Sequence, residues 1–275
     1  MRNILDKDFK FNKKFGQNFI FDSNFLNSVV SDAGVDSYTQ VLEIGTGAGT
    51  LTKALAKSAK KVISFEIDEN LKTTIFENLK NIDNVQVVFK DILKASIEEI
   101  EEHFDGEYIL VANLPYYITT PIIFKFLEEA TKLKRLVIMV QLEVANRLCA
   151  KPNSKDYGTI TPMIDFMGNA KIMRKVSRKM FMPMPNVDSA IVRIDLIDNK
   201  FEIKDRKLLA KIIRSAFSMR RKTLINNLKN VFHLSNNELE SLLLKIGVNI
   251  NVRGENLSTE QFVLLSNEIY NILNN

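Results

Sequence analysis

The stretch VLEIGTGAGTL, residues 41–51, decides the fold of this chain. Its first four residues form a largely apolar run that is typical of a buried strand, three glycines follow at alternate positions, and the leucine spacing of residues 51 and 55 indicates a helix. Glycine allows positive φ and close approach of the backbone to a ligand, so this turn predicts a binding site. The spacing is Gly-x-Gly-x-Gly, with Thr50 where a dinucleotide fingerprint needs its third glycine.

Four further apolar runs follow and alternate with segments that have helical spacing. They cover residues 62–66, 85–89, 109–112 and 136–141. Strand–helix alternation implies right-handed crossovers, and it predicts an α/β fold with a doubly wound, Rossmann-like parallel sheet. Two later runs, residues 171–176 and 190–196, are predicted to complete the sheet as an antiparallel edge hairpin.

The C-terminal part of the chain has a purely helical pattern after about residue 198. Ser235 with Glu238, and Ser258 with Gln261, have the spacing of capping boxes at helix starts. We therefore predict a small all-helical second domain with a boundary near residues 197–204.

Composition limits the classes of protein that this chain can be. A hydrophobic content of 45% and a charged content of 26% are ordinary for a soluble globular protein. The one cysteine, Cys149, excludes an internal disulfide and suits a reducing cytoplasm, and two distant histidines make a zinc centre improbable. No apolar run reaches membrane-spanning length, and the N-terminus has no signal-peptide core, so neither a membrane span nor a leader is expected.

The net charge of +5 is unevenly distributed. Residues 171–229 contain 16 Lys or Arg and 5 Asp or Glu, a local excess of 11. Such asymmetry favours a polyanion-binding face. A solvated helix surface remains the alternative for the charge taken alone.

Two acidic residues stand at the ends of the next predicted strands. Glu66 ends the second strand, 21 residues after Gly45, and Asp91 follows the third. Because ligands of open α/β sheets bind outside the carboxyl ends of the strands, Glu66 is predicted to accept hydrogen bonds from both ribose hydroxyls. Asp91 is predicted to accept one from an adenine amine. Ribose and adenine fit NAD, FAD or S-adenosylmethionine.

The tetrapeptide NLPY, residues 113–116, follows the fourth predicted strand. The Asn113 side-chain oxygen and the Leu114 carbonyl are each placed to accept one hydrogen of an adenine N6 amine, while Tyr116 stacks on the base and Pro115 stiffens the turn. The N6 lone pair is delocalised into the ring, and holding both hydrogens favours a pyramidal, more nucleophilic amine. Positioning and oriented dipoles are then the main sources of catalysis, and no strong base is needed.

These motifs, in this order, resemble the ribosomal RNA adenine N6-dimethyltransferases, above all the KsgA or RsmA branch, which dimethylates two adjacent adenines near the 3′ end of 16S rRNA. The resemblance runs nearly end to end. Further matching segments are KKFGQNFI (13–20), QLEVANR (141–147), YG (157–158), FMPMPNVDSA (181–190), RRKTL (220–224) and RGENLS (253–258). Departures such as Lys90 and Gly254, where the family often has Gly and Ala, remove no group that the implied mechanism needs.

The resemblance implies roles for individual residues. The implied cofactor-binding residues are Gln17, Asn18, the Ile20 backbone, Gly45, Gly47, Glu66, Asp91 and Asn113. The implied catalytic residues are Asn113, Leu114, Tyr116 and Phe181, the last as a second aromatic ring facing a flipped base. The implied RNA-binding residues are Arg220, Arg221 and Lys222, although a solvated helix end is an alternative for these three.

The resemblance also implies a domain organisation, a cofactor and a partner. Residues 1–198 are expected to form the methyltransferase domain, and residues 199–275 a helical domain that binds RNA or the ribosome. The expected cofactor is S-adenosylmethionine, no metal is expected, and the expected partner is 16S rRNA within an immature 30S subunit. We expect a cytoplasmic protein that is a monomer and has no membrane partner.

Three alternative functions stay open from the sequence. The first is the antibiotic-resistance branch that dimethylates 23S rRNA, in which Ile commonly replaces Leu114. The second is a non-catalytic RNA-binding assembly or transcription factor, whose signature would be the loss of Asn113 or Glu66. An NAD-dependent oxidoreductase is the most distant, because the third fingerprint glycine is missing.

Overall fold

A computed structural model describes residues 16–274 of the chain. The motif residues Lys13, Lys14 and Phe15 lie outside the described residues. No helix within residues 16–274 is long and apolar enough to cross a membrane. The same range contains no cluster of three or more His, Cys, Asp or Glu side chains arranged to hold a metal ion.

The strands alternate with helices as the sequence predicts. The strands are β1 (Phe19–Ile20), β2 (Gln40–Ile44), β3 (Lys61–Glu66), β4 (Val85–Phe89), β5 (Tyr108–Asn113), β6 (Leu133–Gln141), β7 (Gly168–Val176), β8 (Phe181–Met182) and β9 (Ser189–Leu196). The helices of the first part are α1 (Ser23–Ala33), α2 (Thr50–Ala56), α3 (Lys72–Asn78), α4 (Ile97–Glu101), α5 (Thr119–Glu129), α6 (Leu142–Leu148) and α7 (Ile160–Met167). The C-terminal helices are α8 (Arg206–Ala216), α9 (Leu224–Phe232), α10 (Asn236–Lys245) and α11 (Thr259–Leu273).

Seven strands form one sheet in the order β4-β3-β2-β5-β6-β9-β7. The first five of these run parallel, and β9 pairs antiparallel with β6. The predicted doubly wound α/β sheet is therefore confirmed. Because β2, β3, β4 and β5 are parallel and adjacent, their carboxyl ends meet at one edge, and the residues that follow these strands come together there.

Helix α1 covers one face of the sheet and is fixed at its C-terminus by two arginines. Arg135 donates to the Ala33 carbonyl at 2.8 Å, and Arg193 donates to the Asp32 carbonyl at 3.2 Å. Both guanidinium groups also bind Asp195, at 2.5 and 2.8 Å. Cations at a helix C-terminus bind the last carbonyls and oppose the helix dipole, so α1 is held firmly where it lines the site described below.

The chain divides into two compact units, and the division differs from the one predicted. Of the described residues, the first unit contains 16–145 and 171–196, and the second contains 146–170 and 197–274. Residues 146–167, which precede β7, therefore group with the C-terminal helices. The Tyr157 hydroxyl donates to the Leu257 carbonyl at 2.9 Å, and the Asn153 amide donates to the Glu255 carbonyl at 3.0 Å. Such long-range contacts leave no local trace in a sequence pattern.

The helical unit contains the capping boxes that the sequence predicts. Ser235 begins α10 and exchanges hydrogen bonds with Glu238, while Ser258 begins α11 and exchanges them with Gln261. Each box satisfies backbone donors that the first turn of a helix otherwise leaves unpaired.

Candidate active site

A cleft of about 1170 Å³, including the part open to solvent, lies at the carboxyl edge of the parallel strands. Its walls come from residues 16–20, the glycine turn after β2, the ends of β3 and β4, and the tetrapeptide after β5. Within the described part of the chain, the residues that line it lie between Gly16 and Met139. Open α/β sheets bind ligands at this edge, and the volume suits a ligand larger than a nucleoside.

The turn after β2 leaves an open stretch of backbone in the cleft wall. Gly45 has φ of +84° and Gly47 has φ of +57°, values that side chains rarely permit. A Cβ at Gly47 would lie 3.0 Å from the Phe19 ring, whereas a Cβ at Gly45 would meet only the Asn113 carbonyl oxygen, at 3.9 Å. The backbone at Gly45 is therefore accessible for close approach by a ligand.

Glu66 ties the end of β3 to this turn. One oxygen, Oε2, accepts a hydrogen bond from the Gly47 amide at 2.8 Å, and Oε1 accepts from the amides of Ile67 and Asp68, each at 2.9 Å. Burial raises the pKa of Glu66, and the three backbone donors oppose that rise. A carboxylate has about four acceptor positions, so roughly one remains for a ribose hydroxyl, fewer than the two that the sequence predicts.

A second acidic residue, Glu43 on β2, lies beneath the turn and is absent from the predicted site. Its Oε2 accepts from the hydroxyls of Thr52 and Ser64, each at 2.6 Å, whereas Oε1 has no partner among residues 16–274. Burial raises the pKa of Glu43 to about 8, with a smaller contribution from Glu66. The Ser64 hydroxyl also contacts the Thr46 hydroxyl at 2.6 Å, and Thr46 lines the cleft. Glu43 is thus mostly a neutral acid at pH 7 that supports the turn.

The Asn113 side chain is oriented by a backbone carbonyl. Its Nδ2 donates to the Asn18 carbonyl oxygen at 2.7 Å, and Asn113 itself lines the cleft at the end of β5. Because this bond engages the amide NH₂ group, Oδ1 is the side-chain atom left to accept a hydrogen bond from a ligand. The predicted role of Asn113, accepting a hydrogen bond from the target amine, requires its side-chain oxygen to be available in this way.

The rest of the tetrapeptide fixes an aromatic ring beside Asn113. The Leu114 side chain is buried, and Pro115 precedes a single turn of 3-10 helix at Tyr116–Ile118. The Tyr116 hydroxyl shares a 2.8 Å hydrogen bond with the Ser189 hydroxyl, and its side chain lines the cleft. Burial raises the pKa of Tyr116, so the phenol stays protonated at neutral pH. The ring is held by its hydroxyl end and is not a base.

The segment before α1 crosses the cleft and is held at several points. Gln17 Nε2 donates to Asp68 at 2.7 Å, and Asn18 Nδ2 donates to the Gly16 carbonyl at 3.0 Å. The Ile20 carbonyl accepts from the Thr50 hydroxyl at 2.9 Å. Gln17, Asn18 and Ile20 all line the cleft, and so the structure brings them together with the glycine turn.

Asp91 lines the cleft at the end of β4, and two apolar neighbours join it there. Its Oδ1 accepts from the Leu93 amide at 3.0 Å. Ile67 and Ile92 are cleft residues that sequence reasoning missed, and each directly follows an acidic residue of the site. Their position directly after the two acids could have indicated a role in the site, because an apolar side chain beside each acid can cover the face of a flat ring.

Phe181 lies outside the cleft lining. It is 5% exposed, its partner across the β1–β8 pair is Ile20, and it belongs to the core cluster with Val176 and Ile191. A ring enclosed by core side chains offers no free face to a base in this conformation. The sequence could not reveal this, because the environment of Phe181 depends on its pairing with Ile20, which lies 161 positions earlier in the chain.

The three predicted RNA-binding residues belong to the helical unit. Arg220, Arg221 and Lys222 are exposed in the loop between α8 and α9. Arg220 donates to Glu255 and to the Lys155 carbonyl, each at 3.3 Å. The loop therefore presents three adjacent cations, one of which is partly engaged by a carboxylate.

Comparison with known proteins gives consistent matches over nearly the whole chain. The family model described as Ribosomal RNA adenine dimethylase matches residues 8–271. A relative named Ribosomal RNA small subunit methyltransferase A, from Caldanaerobacter subterraneus subsp. tengcongensis, is 46% identical over 95% of this chain and 98% of its own length.

Two solved structures are also similar. A dimethyladenosine transferase from Plasmodium falciparum matches with a TM-score of 0.74 and 26% identity, over 90% of this chain and 95% of that chain. The 23S rRNA methyltransferase ErmE matches with a TM-score of 0.70 and 27% identity, over 92% of this chain and 100% of that chain.

Proposed function

This chain belongs to the ribosomal RNA adenine dimethylase family, and we propose that it transfers methyl groups from S-adenosylmethionine to N6 of two adjacent adenines in the 3′-terminal hairpin of 16S rRNA. The observation that carries the proposal is the Asn113 amide, whose NH₂ group is bound to the Asn18 carbonyl. Its oxygen accepts no hydrogen bond from residues 16–274, so it can accept one from the target amine.

The residues of the cleft fit the cofactor. Gly45 leaves space beside the backbone, Glu66 retains an acceptor for a ribose hydroxyl, and Asp91 retains Oδ2 for the adenine amine. Ile67 and Ile92 would cover the adenine faces. When bound, S-adenosylmethionine supplies an electrophilic methyl group on its sulfonium.

The chain's own contribution is to bind and orient the target amine. Asn113 Oδ1 and the Leu114 carbonyl accept its two hydrogens, and Tyr116 lies against the base, held by Ser189. Neither the carboxamide nor the protonated phenol can take up a proton at neutral pH, so the proton released on transfer passes to water. Rate acceleration then comes from position and from dipoles already oriented before reaction.

The 16S substrate is favoured over 23S rRNA by the relatives. The protein that is 46% identical is named for the small subunit, whereas the solved 23S methyltransferase is 27% identical. We propose that the rRNA is methylated within an immature 30S particle in the cytoplasm. We also propose that the protein acts as a monomer.

The test is transfer of tritiated methyl groups from S-adenosylmethionine to two acceptors. Undermethylated 30S subunits from a methylation-deficient host are compared with naked 23S rRNA, and primer extension maps the modified bases. We expect incorporation into two adjacent adenines of the 30S particle. Incorporation into 23S rRNA alone would move the protein to the other branch, and no incorporation into either would overturn the enzymatic assignment.

A further inference from the structure

Asn227, on α9, is a buried side chain that holds the loop carrying the basic residues. It is 3% exposed, and its Nδ2 donates to the Ala216 carbonyl at 2.9 Å and to the Met219 carbonyl at 3.3 Å. Ala216 ends α8, and Met219 directly precedes Arg220. One carboxamide therefore fixes both the start of the loop and the residue from which its three cations continue.

In the described part of the chain, only the NH₂ group of the Asn227 carboxamide is hydrogen-bonded. Its Oδ1 is buried and has no hydrogen-bond partner among residues 16–274. An unpaired buried acceptor destabilises a fold, and an apolar side chain of similar size would remove that penalty. Only a side chain with a hydrogen-bond donor at position 227 can make the two bonds to the Ala216 and Met219 carbonyls.

Gly254 lies close to the same carbonyl. A Cβ at Gly254 would lie 2.6 Å from the Ala216 oxygen, a separation that real Cβ atoms essentially never show. The backbone of Gly254 does not have positive φ, so in this chain an added Cβ is opposed by the nearby Ala216 carbonyl and not by backbone conformation. The next residue, Glu255, contacts Arg220. In this chain the Gly254–Asn256 turn therefore lies so close to the start of the loop that a Cβ could be added only if the Ala216 carbonyl moved.

We propose that Asn227 and Gly254 are positioning residues for RNA binding, which fix the loop of residues 217–223 so that Arg220, Arg221 and Lys222 meet phosphates together. This inference rests on the proposed function, because it assumes an RNA substrate. Adjacent cations that bind at once release several counterions, and binding then weakens steeply as salt rises. A loop that moves makes fewer simultaneous contacts, and it lowers both the affinity and the steepness of that dependence.

The experiment compares the full-length protein with Asn227→Leu and Gly254→Ala. Asn227→Leu removes the donor and the unpaired oxygen together, whereas Gly254→Ala pushes the same carbonyl away and deletes no hydrogen-bonding group. Asn230→Ala is the matched control, an exposed asparagine on the same helix. The dissociation constant for undermethylated 30S subunits is measured from 50 to 300 mM KCl, roughly the range over which phosphate contacts are screened. Thermal unfolding and calorimetric binding of S-adenosylmethionine are measured alongside.

We expect Asn227→Leu to weaken particle binding by about 10-fold at roughly 100 mM salt and to reduce the slope of log K against log salt by about 1 to 2. Gly254→Ala should act in the same direction with a smaller change, and Asn230→Ala should leave the slope unaltered. Cofactor affinity should stay unchanged in all three variants.

Folded variants that keep the wild-type salt slope would overturn the inference and leave the two residues with a purely structural role. If Asn227→Leu fails to fold, Gly254→Ala decides alone. A wild-type protein that methylates 30S subunits with a flat salt dependence would overturn the inference but not the proposed function. A wild-type protein that neither binds nor methylates them would overturn the proposed function itself.

Discussion

Asn113 is the residue on which the proposed chemistry depends most directly. Asn113→Ala removes the acceptor for the target amine but leaves the glycine turn, Glu66 and Asp91 in place. We expect the rate of methyl transfer to fall by about 10²–10³, the usual effect of losing one oriented catalytic dipole. Affinity for S-adenosylmethionine, measured by calorimetry, should change by less than about 10-fold, since that loss corresponds to roughly one hydrogen bond.

Asn18→Ala is the matched control for this experiment. It removes the Asn18 side chain but keeps the backbone carbonyl that orients Asn113. Because Asn18 lines the cleft, its loss should raise the KM for the cofactor more than it lowers kcat. Undiminished turnover by Asn113→Ala would contradict the assignment of the target site.

Phe181 offers a test between packing and base recognition. The structure places its ring in the core, so Phe181→Leu should lower the free energy of unfolding by about 1–3 kcal/mol and leave kcat within a few-fold of wild type. Chemical denaturation and the transfer assay measure the two quantities. Tyr116→Leu is the comparison, and it should abolish most transfer. If Phe181→Leu lost transfer as completely as Tyr116→Leu while remaining stable, Phe181 would have to face the base during reaction.

The glycines and polar residues at the strand ends of the cleft could be predicted from sequence, because each ends or follows a recognisable strand. Gly45, Glu66, Asp91 and Asn113 each follow or end a strand whose apolar run is legible, and parallel pairing alone brings them to one edge. The partners of these residues could not be predicted. That the Asn113 amide meets the Asn18 carbonyl depends on how a distant segment crosses the cleft.

At the scale of elements, both the central strands and the late pair could be predicted from the sequence. Strand β4, Val85–Phe89, has the bounds that the sequence predicts, and β3 begins one residue earlier than predicted. The two late strands complete the sheet as neighbours at its edge, with β7 outermost and β9 antiparallel to β6. The short β1–β8 pair was not predicted, because a strand of two residues leaves no periodic pattern in a sequence.

The capping box of α11 provides a prediction at this scale. Ser258→Ala removes the side-chain acceptor that binds the Gln261 amide at 3.2 Å. We expect the free energy of unfolding to fall by about 1 kcal/mol, because one backbone donor of the first turn loses its partner. Thermal or urea unfolding of the full chain measures the change.

Ser258→Thr, which keeps a hydroxyl acceptor, is the control and should recover most of that stability. An unaltered unfolding curve for Ser258→Ala would show that water replaces the cap without cost. Methyl transfer should be unaffected by either substitution, since Ser258 belongs to the helical unit and not to the cleft.

At the scale of the whole molecule, the basic region of residues 171–229 contains two kinds of cation: those paired with acidic side chains and those exposed to solvent. Arg174 is bound by Asp32, Arg193 by Asp195 and Lys200 by Asp165. These cations stabilise local structure, whereas the loop with Arg220, Arg221 and Lys222 remains exposed. A count of charges along the chain therefore overstates the surface that is available to RNA, because it cannot see which cations already have acidic partners.

The buried acid Glu43 makes the stability of the whole protein depend on pH. In the folded protein its pKa is raised from 4.5 to about 8 by burial. Between these values the folded state holds a proton that the unfolded chain has lost, so the free energy of unfolding falls as pH rises. The contribution of this one group is complete below about pH 4.5, declines by at most about 1.4 kcal/mol per pH unit, and is absent above about pH 8.

Glu43→Gln tests this linkage, because it keeps the size and an acceptor oxygen but does not titrate. The free energy of unfolding of the wild type is measured with urea between roughly pH 5 and 8, where most other carboxylates are already ionised. It should decline towards the higher pH. The decline should be markedly shallower in Glu43→Gln, while Glu77→Gln, at an exposed position, should follow the wild type. Parallel curves for all three proteins would mean that Glu43 is already ionised in the fold. A charged carboxylate would then lie beneath the glycine turn, where it would repel Glu66. Among residues 16–274, no hydrogen-bond donor contacts Glu43 Oε1 to offset that repulsion.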